Sequence, residues 1–243
     1  MSIVLPRPAA RYAAALLLVG CRSILGIEEA HVDDGVGNDE DIDGREDFED
    51  NCPTLPNLSQ LDSDGDDVGD ACDPIDGAPN RIAFFSPMID DIGLVLGANT
   101  AISDGYAAIR ASQLAVLPTL KPVRIEATVA FRTFAAGQAL GIEFDAPNGR
   151  WTCYAGFAIP ACAGLDCLRI SAPDGSLMSV NFDEAELLAK LAVDLRPGVA
   201  SCIGSTGPFS RSALGNSVAA VGLGRITIIA TGDAELYNLI VYE

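Results

Sequence analysis

Two twelve-residue stretches of this chain, 39–50 and 62–73, place aspartate at the same five offsets, and no other part of the sequence carries so specific a pattern. The first has Asp39, Asp41, Asp43, Asp47 and Asp50 at positions 1, 3, 5, 9 and 12. The second has Asp62, Asp64, Asp66, Asp70 and Asp73. Carboxylates crowded this closely repel one another unless a cation lies between them. A tight loop with carboxylates at alternate positions can wrap the roughly six to eight oxygens that Ca²⁺ takes, and position 7 adds a backbone carbonyl, here from Arg45 and Val68. Calcium is the cofactor these stretches imply. Position 6 needs a sharp turn, which Gly44 supplies; Asp67 stands there in the second copy, and Asp tolerates left-handed backbone better than most residues. The second loop is accordingly expected to be the strained, weaker one. Both loops close on Asp rather than on a bidentate Glu, so the last ligand reaches less far.

The charge is as local as the motif. The formal net charge is −19, and residues 28–76 hold 19 acidic residues against one arginine. The remainder of the chain is close to neutral and offers no basic patch for phosphate, which excludes nucleic acid as a partner.

Between and around the two loops stand Asn51-Cys52-Pro53, Asn57, Gln60 and Gly69-Asp70-Ala71-Cys72-Asp73. Residues 39–73 together resemble the thrombospondin type 3 repeat, departing from it at Asp67, where glycine is usual. The resemblance implies a calcium-organised irregular coil over 39–76 rather than two helix-flanked hands. Pro53 and Pro56 independently prevent a useful helix between the loops. Cys52 and Cys72 lie inside the repeat and are expected to pair.

At the amino terminus, Arg7 and Arg11 precede an apolar run too short to span a bilayer but suited to a signal sequence. It ends in Leu18-Val19-Gly20-Cys21, which resembles the lipobox of bacterial lipoproteins. The resemblance implies a signal peptide over 1–20, an acidic linker over 21–38, and lipid modification of Cys21. With Arg22 next, it implies retention at the outer membrane or cell surface after secretion. Lipidation leaves six of the seven cysteines. Of the four beyond the repeat, Cys153, Cys162, Cys167 and Cys202, three pairings are open; Cys162–Cys167 with Cys153–Cys202 is preferred, and an oxidising compartment without a nearby histidine argues against zinc.

Residues 80–243 form a second domain, and its periodicity is mostly two. Val123, Ile125, Ala127, Val129 and Phe131 alternate with more polar neighbours, and 140–144, 151–158, 168–171, 224–230 and 236–242 read as further strands. One stretch, 183–195, has helical spacing at Leu187, Leu188, Leu191 and Ala192, with Asp183 and Glu186 as a capping pair. Short strands with turn signals make the chain mainly β: a calcium-organised irregular repeat followed by an antiparallel β-sandwich. The strand order and the ending 232–242 resemble concanavalin A-like (laminin-G or lectin-type) jelly rolls.

Jelly-roll glycoside hydrolases of the laminarinase type carry Glu-x-Asp-x-x-Glu on one strand. Glu143-Phe144-Asp145 begins that pattern, but Asn148 stands at its end. The one histidine, His31, precedes the repeat, so a Ser-His-Asp arrangement within the sandwich is excluded. Trp151, Tyr154 and Phe157 are read as core or its rim rather than as a sugar platform. No catalytic residue is assigned and no enzyme is expected. The reading is a calcium-binding, lipid-anchored surface protein that adheres to or recognises a glycan or surface protein through its sandwich, with membrane contact through Cys21. The alternative is a secreted or anchored polysaccharide hydrolase.

Overall fold

The computed structural model describes residues 38–243 apart from 76, 104, 148, 183–184, 186–187, 199, 207–208 and 216–220. The stretch expected to be a signal peptide, Cys21, all but the end of the expected linker, and Asn148 lie outside the described residues. After residue 80 the chain runs through β1 (Ile82–Ser86), β2 (Leu94–Leu96), β3 (Thr100–Ser103), β4 (Tyr106–Arg110), β5 (Gln113–Val116), β6 (Arg124–Phe131), β7 (Ala139–Ala146) and β8 (Gly149–Ile159). It continues through β9 (Leu165–Ser171), β10 (Leu177–Asn181), β11 (Lys190–Asp194), β12 (Ser201–Ser205), β13 (Ser210–Leu214), β14 (Arg225–Ala230) and β15 (Asp233–Tyr242). Every pairing is antiparallel. One sheet orders β13-β12-β11-β6-β15-β4-β3, with β1 taking the free edge of β15 beyond β4; the other orders β10-β9-β8-β7-β14-β5-β2. The two sheets form a jelly-roll sandwich.

The alternation seen in the sequence is what closes it. Ile125, Ala127, Val129 and Phe131 of β6 face Ile142 and Phe144 of β7, Ala155 and Phe157 of β8, and Ile226 and Ile228 of β14 in one buried cluster. Cys153 of β8 bonds Cys202 of β12, joining the two sheets through the core, and Cys162 bonds Cys167 at the start of β9. Both are the preferred pairings. Trp151 and Phe157 are buried, as expected of core aromatics.

Over the described residues of 183–195 the expected helix gives way to a strand: Lys190–Asp194 is β11, paired on both sides. The apolar run misled because β11 is buried on both faces. Leu191 and Val193 face the core, while Ala192 pairs with Glu126 on the outer face, which the preceding repeat covers. A strand covered twice loses its period of two.

Residues 39–79 contain no helix or strand among the described residues, and they belong to the same compact unit as the sandwich. Their seat is made by β15. A register shift between Leu236 and Asn238 flips the strand's facing, so Leu239 and Val241 point inward while Ile240 and Tyr242 point out. Val68 and Cys72 of the repeat pack on these two outward residues together with Ile82, Phe85 and Val123. Around this apolar patch, Arg196 Nη1 donates to the Pro74 carbonyl at 2.7 Å, and Arg124 bridges Glu126 and Asp194. Cys52 bonds Cys72, as expected, and so ties the segment between the loops to this contact.

Val68 is 1 % exposed. Val68→Ala removes two buried methyl groups and leaves a cavity over Tyr242, so it should cost about 2 kcal/mol in urea unfolding. A change below about 0.5 kcal/mol would show that the repeat does not rest on the sandwich in solution.

Candidate functional site

The two aspartate loops share most of their hydrogen bonds. The position 1 carboxylate accepts from the position 6 N–H: Gly44 N to Asp39 Oδ2 and Asp67 N to Asp62 Oδ2, both 3.0 Å. The position 5 carboxylate accepts from position 7: Arg45 N to Asp43 and Val68 N to Asp66, both 2.9 Å. The position 9 carboxylate folds back on position 2, with Glu40 N to Asp47 at 2.9 Å and Ser63 N to Asp70 at 2.7 Å. What remains is convergent: oxygens of Asp39, Asp41 and Asp43 lie within 4.8 Å of one another, and so do those of Asp62, Asp64 and Asp66. Asp47 and Asp70 are not in these groups. Asp50 and Asp73 stand close enough for their charges to push up the carboxyls of Asp41 and Asp64. Asp41 is raised to about 6, by burial first and then by the charges of Asp50, Asp43 and Asp39. Its Oδ2 is buried without a partner. A hard, all-oxygen donor set with an orphaned carboxylate oxygen fits a calcium ion.

The sequence reading stopped the repeat at Asp73, but the likeness runs further. The second oxygen of position 5 accepts a backbone N–H from fourteen residues on: Asn57 N to Asp43 at 2.7 Å, and Asn80 N to Asp66 at 2.6 Å. Position 12 accepts from two residues on, Cys52 N to Asp50 at 2.8 Å and Ile75 N to Asp73 at 2.7 Å. Asn80 was missed; its signal was the offset that it shares with Asn57. It ties the second loop to the chain entering β1, and its side chain donates to Asp73 at 2.7 Å.

Strain is not where the sequence placed it. Positions 4 and 6 are left-handed in both loops: Ile42 (φ 61°) and Gly44 (φ 91°), Gly65 (φ 78°) and Asp67 (φ 71°). Asp67 sits in the region that Asp tolerates, whereas a β-branched Ile42 does not suit it. The first loop is the strained one.

A second cluster lies on the outer face of the β10-to-β2 sheet. Because Leu140, Ile142 and Phe144 of β7 point into the core, Gly141, Glu143 and Asp145 point out. Register then aligns three rows. One runs Ile229, Gly141, Tyr154, Arg169, Ser179; the next runs Thr227, Glu143, Thr152, Ser171, Leu177; the third runs Arg225, Asp145, Arg150. Arg150 Nη1 reaches Glu143 at 3.2 Å, and its Nε and Nη2 grip Asp145 at 2.6 and 3.0 Å. The Tyr154 hydroxyl donates to the other Glu143 oxygen. Burial and that bond push the Tyr154 phenol up, so it stays a neutral donor. Tyr154 lies over Gly141, where a Cβ would come within 2.0 Å of its ring. Of the three aromatics read as core, Tyr154 therefore belongs to this outer face. Asp90, by contrast, accepts from Ile92 N in an exposed turn.

No family model matches this chain, and no curated protein matches it in sequence. Solved structures match in fold. One is SCLam, a non-specific endo-β-1,3(4)-glucanase from family GH16, at 8 % identity and TM-score 0.51, over 68 % of this chain and 91 % of that one. Another is the laminarinase from Rhodothermus marinus, at 9 % identity and TM-score 0.50, over 68 % of this chain and 97 % of that one. At such identity the likeness is one of fold. It nonetheless overturns two expectations, that the chain is no enzyme and that the sandwich serves adhesion or recognition. The two structures named are a glucanase and a laminarinase, and Glu143 and Asp145 stand together in one hydrogen-bonded cluster.

Ile42→Gly relieves a left-handed β-branched residue, roughly 1–2 kcal/mol of backbone cost. The substitution should raise the melting temperature of the calcium-free protein, and no change or a fall would remove strain from the first loop.

Proposed function

We propose that this chain hydrolyses a polysaccharide on the outer face of the sheet carrying β7, with Glu143 as the carboxylate that attacks the sugar. The observation that carries the reading is the pairing of Glu143 and Asp145 on one strand face. Glu143 accepts from Tyr154 and Arg150, two donors that orient its carboxylate oxygens on the open face. Asp145 is the next carboxyl on that face, about 6.8 Å along the strand. The single Arg150 guanidinium holds both carboxyls, the closeness that a nucleophile and its partner acid need in glycoside hydrolysis.

Glu143 and Asp145 also occupy the first two positions of the Glu-x-Asp-x-x-Glu pattern. Since the third is Asn148, proton donation to the leaving oxygen falls to Asp145. In that scheme a Glu143 oxygen bonds the anomeric carbon as the glycosidic C–O bond breaks, and Asp145 protonates the departing oxygen. Water then displaces Glu143 while Asp145 takes the water's proton. Arg150, 54 % exposed, has to swing off Asp145 when the sugar enters. Reducing-end release from β-1,3- and mixed-linkage glucans and from acidic polysaccharides tests the reading. Glu143→Gln should lower turnover at least a thousandfold with the fold intact. Equal activity in Glu143→Gln, or none in the native protein across the panel, would sink it.

We further propose that each loop holds one Ca²⁺, through Asp39, Asp41, Asp43, Asp50 and the Arg45 carbonyl in the first and through Asp62, Asp64, Asp66, Asp73 and the Val68 carbonyl in the second. The ion supplies compensating charge, and the residues supply oxygens already oriented by backbone N–H groups. The support is the convergence of three carboxylates in each loop and the stranded oxygen of Asp41.

The pH dependence has a definite sign. A carboxyl raised from 3.8 to about 6 makes the calcium-free protein most stable below that window, with the contribution lost as pH rises through about 6. Calcium binding should therefore release protons near pH 6. Calcium at about a hundredfold its dissociation constant should add roughly 2.7 kcal/mol per site, reversed by chelator. Calorimetry in buffers of different protonation enthalpy reads the first and thermal unfolding the second. Unchanged melting with calcium and chelator removes the metal from the loops.

A further inference from the structure

The outer face of the β7 sheet lacks the acidity concentrated in residues 28–76. Its outward positions on β7, β8, β9 and β14 carry Arg150, Arg169 and Arg225 against Glu143 and Asp145. Arg150 is committed to both acids, so the pair presents little net negative charge to an incoming ligand. Arg169 is not committed. It makes no hydrogen bond or ion pair among the described residues, and its Nε is buried without a partner. A buried, unpartnered guanidinium donor is costly to keep unless an acceptor arrives.

Arg169 also has somewhere to receive one. It lines a cavity of about 200 Å³ with Tyr154, Gly156, Ile159, Ile229 and Thr231. At Gly156 a Cβ would approach the Gln138 carbonyl oxygen and Ile159 Cδ1 to 2.7 Å, so glycine keeps the wall closely packed. Tyr154, in register with Arg169 across β8 and β9, hydrogen-bonds Glu143 and thus stands between the cavity and the acidic pair. Glu143 on β7 and Arg169 on β9 are two strand spacings apart and one row offset, about 12 Å at the backbone. That distance puts Arg169 beside a neighbouring position of the same chain of sugars rather than at the bond being cleaved.

We infer that the polysaccharide taken by this face is anionic, and that Arg169 reads a carboxylate or sulfate ester on a sugar lodged in the Tyr154–Ile159–Ile229 cavity. The inference rests on the reading of this face as a polysaccharide site. A planar guanidinium with its Nε–H free can hold either anion through paired hydrogen bonds, and a neutral sugar offers no charge to match it.

The test measures binding of the full-length, calcium-loaded protein to polygalacturonate, to a sulfated galactan and to a neutral β-1,3-glucan, at low and moderate salt. The native protein should prefer one of the acidic polymers, and which one separates the carboxylate from the sulfate. Arg169→Gln should cut the acidic-to-neutral preference at least tenfold, and Arg169→Lys should restore part of it, with melting temperature as the control for folding. An unchanged preference in Arg169→Gln, or a native preference for the neutral glucan, overturns the inference. Neutral glucan hydrolysed through Glu143 without discrimination by Arg169 would leave the hydrolase reading standing. Acidic polymer bound through Arg169 but never cleaved would do the reverse.

Discussion

The structure depends on one packing contact, Val68 and Cys72 of the irregular repeat against Ile240 and Tyr242 of the last strand. Those two residues point outward because β15 slips register after Leu236, and two buried side chains of that size cannot be left facing water without cost. The repeat has no sheet or helix to satisfy its own backbone, so it needs a surface to lie on. Each half supplies what the other lacks. The contact also makes the sandwich asymmetric. One sheet's outer face is covered by the repeat around Arg124, Glu126 and Lys190, and the other is left open around Glu143.

The two functional regions solve opposite electrostatic problems. In the loops, carboxylates converge with few cations among the described residues, and Asp41 answers by a raised pKa. On the open sheet, the two acids share one arginine and a tyrosine, and a second arginine is left over. The loops are organised around missing positive charge, and the sheet has positive charge to offer. Asn80 connects the loops to the sandwich directly, since it binds Asp66 and Asp73 immediately before β1 begins.

Much of this was legible in the residues. Alternation identified β6, β7, β8, β9, β14 and β15 because each has one face in the core and one face less apolar. Of the three pairings open to the later cysteines, the preferred one formed. The failures share a cause. Residue patterns record how many faces are buried, not what buries them, so β11, covered by core and repeat alike, looked helical. Short edge strands such as β2 and β13 carry too few residues to show any period. Glu143 and Asp145 read in sequence only as an incomplete motif, because Arg150 and Tyr154 reach them through the β7–β8 register.

Sequence alone determined the local chemistry: which carboxylates can converge, where the sheet-forming alternation lies, and which cysteines could meet. These follow from offsets along one chain, where geometry is set by the backbone itself. Only the tertiary structure decided that Ile42 rather than Asp67 bears the strain, that the repeat rests on β15, and that among the described residues Arg169 Nε has no partner while Arg150 has two. Those are facts about neighbours brought together across strands, and a one-dimensional pattern does not say which face meets which.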